Sequence, residues 1–286
     1  MTIQEIWDKG KDILQAAGVL EYKEDAWLLL SYVTGVSKAI FLCNRNMPIP
    51  KEQEAYCNQL FVERAKRIPL QYLTGEQGFM GLIFQVNPHV LIPRQDTESL
   101  VEEAGKILKE KQNARVLDLC TGSGCIIISL ACFYKFGLAV GADISGEALK
   151  VARENAKRHK VDVSFIQSDL FTGISGKFDI IISNPPYIRT GVIASLEPEV
   201  REYEPILALN GKEDGLYFYQ NIIKQAEEYL VPGGDLLFEI GYDQGEQVSG
   251  LLASYGYTDI KIKKDLAGLN RVCMGKRKVE KRCLIN

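Results

Sequence analysis

Val116-Leu117-Asp118-Leu119-Cys120-Thr121-Gly122-Ser123-Gly124 reads as a short buried strand running into a glycine-bearing turn. The apolar run from Cys125 to Tyr134 follows as a helix. Strand, tight turn and helix recur downstream. Leu138–Asp143 reads as a strand and Glu147–His159 as a helix, while Val163–Ile166 and Phe178–Ser183 read as strands. Gly215–Leu230 reads as a helix closed by Pro232-Gly233-Gly234, Leu236–Ile240 as a strand, and Val248–Ser254 as a helix. Thr258–Lys263 and Arg271–Met274 complete the pattern as a terminal strand pair. Such alternation predicts an α/β fold with a parallel sheet wrapped by helices.

Upstream the period changes. Residues 1–75 read as a helical bundle. A capping box at Thr2 and Glu5 opens the first helix, Gly18 and Gly35 act as stops, and a third helix begins at Pro50 and ends before Pro69. Lysine plus arginine and aspartate plus glutamate number nine each over residues 1–74, so the bundle is neutral and suits a protein partner better than nucleic acid. Residues 76–92 read as a β-hairpin linker, with Phe79–Val86 and Val90–Ile92 as strands and Asn87-Pro88 as the turn. Residues 93–276 form the α/β domain, and 277–286 a basic, solvated tail.

Composition narrows the function classes. The chain has 286 residues, a net charge of −3 and a pI near 5.7; no global basic field favours obligate binding to long nucleic acid. The seven cysteines (43, 57, 120, 125, 132, 273, 283) form no CxxC pair, and there are only two histidines, His89 and His159. No metal site is expected, and the thiols suit a reducing, cytoplasmic compartment. Glu5 and Asp8 stand where a signal peptide needs an apolar core, and no run is long enough to span a bilayer.

Four features follow consecutive strands: the Cys120–Gly124 turn, Asp143, Asp169 and Asn184-Pro185-Pro186-Tyr187. In open α/β sheets, ligands bind at the carboxyl ends of the strands. The turn is neither GxGxxG nor a P-loop, which disfavours a pyrophosphate or triphosphate ligand. Asp143, nineteen residues after Gly124, is spaced to take ribose hydroxyls. Asp169 is placed for an adenine edge, with Leu170 or Phe171 against its face. An adenosine ligand without phosphates points to S-adenosylmethionine. Asn184, with carbonyls that two prolines leave unpaired, suits a planar group bearing NH2.

Together with Pro69-Leu70-Gln71-Tyr72-Leu73-Thr74-Gly75, Phe79-Met80-Gly81, Leu91-Ile92-Pro93-Arg94-Gln95-Asp96-Thr97-Glu98 and Phe238-Glu239-Ile240-Gly241, these motifs make the chain resemble the release-factor glutamine N5-methyltransferases, the PrmC/HemK family, over nearly its whole length. The resemblance implies a Rossmann-like, seven-stranded S-adenosylmethionine-dependent methyltransferase sheet behind an N-terminal helical substrate-recognition domain. It implies methylation of the Gln side chain in the Gly-Gly-Gln motif of class-1 peptide-chain release factors, with S-adenosylhomocysteine as the other product. Cofactor contacts are expected from Asp118, Cys120, Thr121, Gly122, Ser123, Gly124, Asp143, Asp169, Leu170 and Asn184. Substrate contacts are expected from Asn184, Pro185, Pro186 and Tyr187, with Asn184, Pro185 and Tyr187 in catalytic roles. Three positions depart from the family: Gln95 stands where proline is usual, Cys120 where glycine is frequent, and Leu170 where an aromatic residue can occur. The competing readings are an amino-methyltransferase acting on a flipped nucleobase and a non-catalytic module that kept the fold.

Overall fold

A computed structural model describes residues 1–279; the rest of the expected tail, 280–286, lies outside the described residues. The chain forms two compact units, one of residues 1–76 with 197–203, the other of 77–196 with 204 onward.

In the first unit, helices Ile3–Ala16, Tyr22–Thr34 and Lys51–Ala65 pack around Ile3, Ile6, Leu30, Phe41 and Phe61, with shorter helices Lys38–Cys43 and Leu70–Thr74. The capping box forms as expected: Glu5 N–H donates to Thr2 Oγ1 at 3.2 Å, and Thr2 N–H to Glu5 Oε2 at 2.8 Å. Helix Pro198–Tyr203, far away in sequence, belongs to this unit through charge. Buried Arg64 donates to Asp25 Oδ2 at 2.7 Å and to Glu199 Oε1 at 2.8 Å, and Arg67 donates to Glu199 Oε2 at 2.6 Å. The unit is therefore more than an N-terminal bundle.

A hairpin of β1 (Glu76–Phe79) and β2 (Leu82–Gln85) follows, within the second unit from residue 77 onward. Its turn is Met80-Gly81, at φ 53° and 72°, the positive values a two-residue type I′ connection requires. This corrects the expected hairpin: Asn87-Pro88 is not its turn, and Val90–Ile92 forms no strand. Nor is the hairpin a free linker. Gln85 N–H donates to buried Asn155 Oδ1 at 2.7 Å, and Phe79 and Phe84 are buried in the same apolar cluster as the helices beside the sheet.

The main sheet comprises β3 (Arg115–Leu119), β4 (Leu138–Asp143), β5 (Ser164–Gln167), β6 (Phe178–Ser183), β7 (Leu230–Glu239), β8 (Thr258–Lys264) and β9 (Asn270–Lys276). Their spatial order is β5-β4-β3-β6-β7-β9-β8. β9 runs antiparallel to both its neighbours, and the other paired strands are parallel. The expected fold class is the observed one. Helices Glu98–Glu110, absent from the pattern above, and Cys125–Phe133 contribute to one apolar layer, and helices Tyr217–Tyr229 and Gly245–Ser254 to the other. From β3 the chain winds outward through β4 and β5, then returns to place β6 on the opposite side of β3. The gap between the carboxyl ends of β3 and β6 is thus a topological switch point, where such sheets open a crevice.

Candidate active site

A crevice opens at that switch point, lined by Cys120, Thr121, Gly122 and Ser123 after β3, by Asp143 after β4, by Asp169 and Leu170 after β5, and by Asn184 and Pro186 after β6. Ser183 Oγ donates to the Leu119 carbonyl at 2.8 Å, tying the two central strands together just below it. Arg94, Thr97, Leu207 and Phe218 are among the other residues of its walls.

Each loop has a local cause. Gly122 N–H donates to Asp143 Oδ2 at 2.9 Å, and Ser145 N–H donates to Oδ1 at 2.9 Å. Asp143 therefore closes the glycine turn and supports the start of helix Gly146–His159, whose N-cap is Ser145. Burial raises its carboxyl above the usual range, while the N–H groups of Ser145, Gly122 and Ile144 pull it down. Cys120 and Leu170 sit at φ 59° and 49°, backbone space that non-glycine residues rarely occupy. At Leu170 the turn is held by Ser168, whose hydroxyl donates to the Leu170 carbonyl at 2.7 Å and accepts from Gly173 N–H at 2.9 Å.

Four expected contacts do not line the crevice. Asp118 is 0% exposed, and its Oδ2 accepts the Thr121 hydroxyl at 2.6 Å. Burial, reinforced by the charge of Asp143, pushes its carboxyl up to about 7. It braces the turn from beneath. Gly124 is the N-cap of helix Cys125–Phe133 at φ 79°, and a Cβ there would lie 2.7 Å from Ile128 Cδ1, so it serves the packing of that helix. Pro185 is buried. Tyr187 turns its hydroxyl to Glu239 Oε1 at 3.3 Å, while Gln244 Nε2 donates to its carbonyl at 3.2 Å.

The sequence motifs left two participants without roles. Thr97, 2% exposed, accepts from Asn184 Nδ2 at 3.4 Å. Glu239, also 2% exposed, stands at the end of β7 with Oε2 unpaired. Burial raises its carboxyl; the Thr97 hydroxyl, the Arg271 guanidinium and the Tyr187 hydroxyl favour its ionised form. A glutamate ending the apolar run Leu236-Leu237-Phe238 was the available signal. Among the described residues no His/Cys/Asp/Glu group is arranged to hold a metal ion, and no helix is long and apolar enough to cross a membrane.

Comparison with known proteins agrees with this architecture. The family profile described as PrmC N-terminal domain matches residues 5–75, and that described as Methyltransferase small domain matches residues 97–197. A Geobacter sulfurreducens protein named release factor glutamine methyltransferase is 42% identical, with 96% of each chain covered. A Clostridium botulinum protein of the same name is 39% identical over 97% of this chain and 100% of its own. A methyltransferase structure from Pyrococcus furiosus shares the fold, with a TM-score of 0.52 and 17% identity over 70% of this chain and 91% of that one.

Proposed function

The chain belongs to the release factor glutamine methyltransferase family, and from that premise we propose that it methylates the N5 nitrogen of the Gly-Gly-Gln glutamine in class-1 peptide-chain release factors, using S-adenosylmethionine. One observation carries the reading: the glycine turn, Asp143 and Asn184 line a single crevice at the switch point of the sheet. The residues present fit this cofactor. Asp143, held by two backbone donors, keeps lone pairs for two ribose hydroxyls. Asp169 is exposed toward an adenine edge, with Leu170 as the apolar surface beside it. When bound, the cofactor supplies a methyl group already activated by its sulfonium.

The protein must then orient a poor nucleophile. A glutamine amide nitrogen shares its lone pair with the carbonyl, so alignment and charge stabilisation dominate. Asn184 Oδ1 accepts an amide hydrogen, fixes the nitrogen and favours positive charge as it develops there. Pro186 borders the same space. Tyr187, anchored through its hydroxyl, supports the loop that carries Asn184. The first unit, whose N-terminal bundle is neutral and carries exposed Leu28, Tyr32, Tyr56 and Val62, is the docking domain for the release factor. The reaction belongs to the cytoplasm, where translation terminates.

The test is methyl transfer from labelled S-adenosylmethionine to a release factor, a Gly-Gly-Gln peptide, duplex DNA and rRNA. Label on the factor's glutamine, located by mass spectrometry and transferred faster to intact factor than to peptide, is expected. Label on nucleic acid alone would overturn the reading. Tyr32→Asp should raise KM for intact factor and leave the rate on the peptide unchanged; an unchanged KM removes that surface from docking.

A further inference from the structure

Ser183 of β6 pairs with Phe238 of β7, so the next residues, Asn184 just past β6 and Glu239 at the end of β7, lie side by side at the carboxyl edge of the sheet. Thr97 is buried with its Oγ1 3.4 Å from Asn184 Nδ2, and its hydroxyl is a donor that favours the ionised Glu239, whose Oε2 is an unpaired buried acceptor. We propose that Glu239 is a positioning residue for methyl transfer: through the Thr97 hydroxyl it determines which way the Asn184 amide faces, and through the Tyr187 hydroxyl it anchors the same loop. The inference rests on the reading that Asn184 holds the acceptor amide.

The argument is one of hydrogen-bond polarity. An ionised carboxylate only accepts, and a threonine hydroxyl has a single proton. With that proton directed at Glu239, Thr97 turns its lone pairs to Asn184. Asn184 must then present its NH2 edge, and Nδ2 is the atom found 3.4 Å from Thr97 Oγ1. Oδ1 is left to face the crevice, where it can accept an N–H from a substrate amide. The opposite flip would point an NH2 donor at another NH2 donor and could hold nothing. Glu239 is well placed for this task. It is buried, its Oε1 takes the Tyr187 hydroxyl, and its Oε2 is an unpaired acceptor open to the Thr97 proton. The groups facing it are Thr97, Tyr187, Tyr219, Cys125, Arg271 and Asp96. Of these, Arg271 is the cation and favours the ionised form, while burial, the largest influence, and the charge of Asp96 raise the carboxyl overall. Glutamine at 239 could donate to Thr97, reverse the hydroxyl and let the Asn184 amide turn over.

Full-length Glu239→Gln, Thr97→Val, Thr97→Ser and Asn184→Ala are compared at saturating S-adenosylmethionine and release factor. Glu239→Gln and Thr97→Val are expected to lose about 10–100-fold in kcat, the usual effect of removing a group that orients a reacting residue. Cofactor binding is retained, and Thr97→Ser, which keeps the hydroxyl, recovers most of the rate. Wild-type kcat should fall on the acid side as Glu239 takes a proton, and Glu239→Gln should lack that limb. In protein without cofactor, the Asn184 side-chain NH2 resonances should shift in both Glu239→Gln and Thr97→Val. Should Glu239→Gln fail to fold, the Thr97 pair decides. A slow Asn184→Ala beside Glu239→Gln and Thr97→Val at wild-type rate, with an unchanged pH profile, overturns this inference alone. A wild-type rate in Asn184→Ala overturns the reading of the motif and this inference with it.

Discussion

Gly122 N–H donates to Asp143 Oδ2 at 2.9 Å, so one carboxylate both shapes the glycine turn and lines the crevice at the switch point. Ser145 N–H on Oδ1 adds a third duty, at the start of the following helix. Asp143→Ala should therefore show two losses: ~1.5–3 kcal/mol in S-adenosylmethionine affinity from a charge-assisted contact, and ~1–2 kcal/mol in stability from the lost backbone acceptor, as for a helix cap. Calorimetric titration and denaturant unfolding measure them separately. An unaltered dissociation constant would take Asp143 out of the ribose site.

The glycine turn should respond to substitution with opposite signs at two positions. Cys120 sits at φ 59°, where a side chain costs ~1–2 kcal/mol. Glycine removes that strain but loosens the unfolded chain by ~0.4–1 kcal/mol, so Cys120→Gly should be neutral to slightly stabilising. Gly124→Ala combines φ 79° with a Cβ 2.7 Å from Ile128 Cδ1 and 3.3 Å from Ala152 Cβ; overpacking should cost ~1–3 kcal/mol. Midpoints of chemical unfolding decide. A Cys120→Gly protein as destabilised as Gly124→Ala would mean that the Cys120 side chain matters more than its backbone.

Asp118 makes a pH prediction. In the unfolded chain it ionises near its ordinary 3.8, whereas in the fold it keeps its proton up to about 7. Between those values the folded state binds more protons, so stability falls as pH rises through the window. The contribution is fully present below the lower value and lost above the upper one. Asp118→Asn keeps an oxygen for the Thr121 hydroxyl and cannot ionise. Its stability should exceed that of the wild type above pH 7 and show a shallower decline from pH 4 to 7. Parallel stability–pH curves for the two proteins would show that Asp118 does not titrate there.

The parts of this molecule legible from sequence are those whose signal is local. The Cys120–Gly124 turn, Asp143, Asp169 and Asn184 each follow a short apolar strand, so strand periodicity alone locates them. Glu239 also ends such a strand, but its meaning depends on β7 lying beside β6, a pairing across more than fifty residues. Tyr187 illustrates the same limit: that its hydroxyl meets Glu239, far away in sequence, is not encoded in an aromatic residue after two prolines. The Pro198–Tyr203 helix joins the first unit because Arg64 and Arg67 meet Glu199 more than 130 residues away, which no local pattern encodes. The misplaced hairpin turn had a different cause. Asn87-Pro88 is a strong turn signal, yet Met80-Gly81 is the pair at positive φ.

The sharpest test concerns Asn184, whose acceptor role should be greatest in the transition state, as the amide hydrogens become more acidic. Asn184→Ala should lower kcat by more than it raises KM, a loss of ~2–4 kcal/mol by analogy with a removed oxyanion-hole donor. Asn184→Asp is more discriminating. One carboxylate oxygen can still accept the substrate N–H, so this variant should outperform Asn184→Ala. The other oxygen, however, meets Thr97, whose one proton is then sought by two carboxylates, Asp at 184 and Glu239. That competition should hold the Asp variant below wild type, and adding Glu239→Gln should relieve it by removing a buried like charge. Single-turnover rates on a release factor measure all three steps. Wild-type rates in both single Asn184 variants would show that the acceptor amide is held elsewhere; a double variant slower than Asn184→Asp alone would show that Glu239 does not compete for the Thr97 proton.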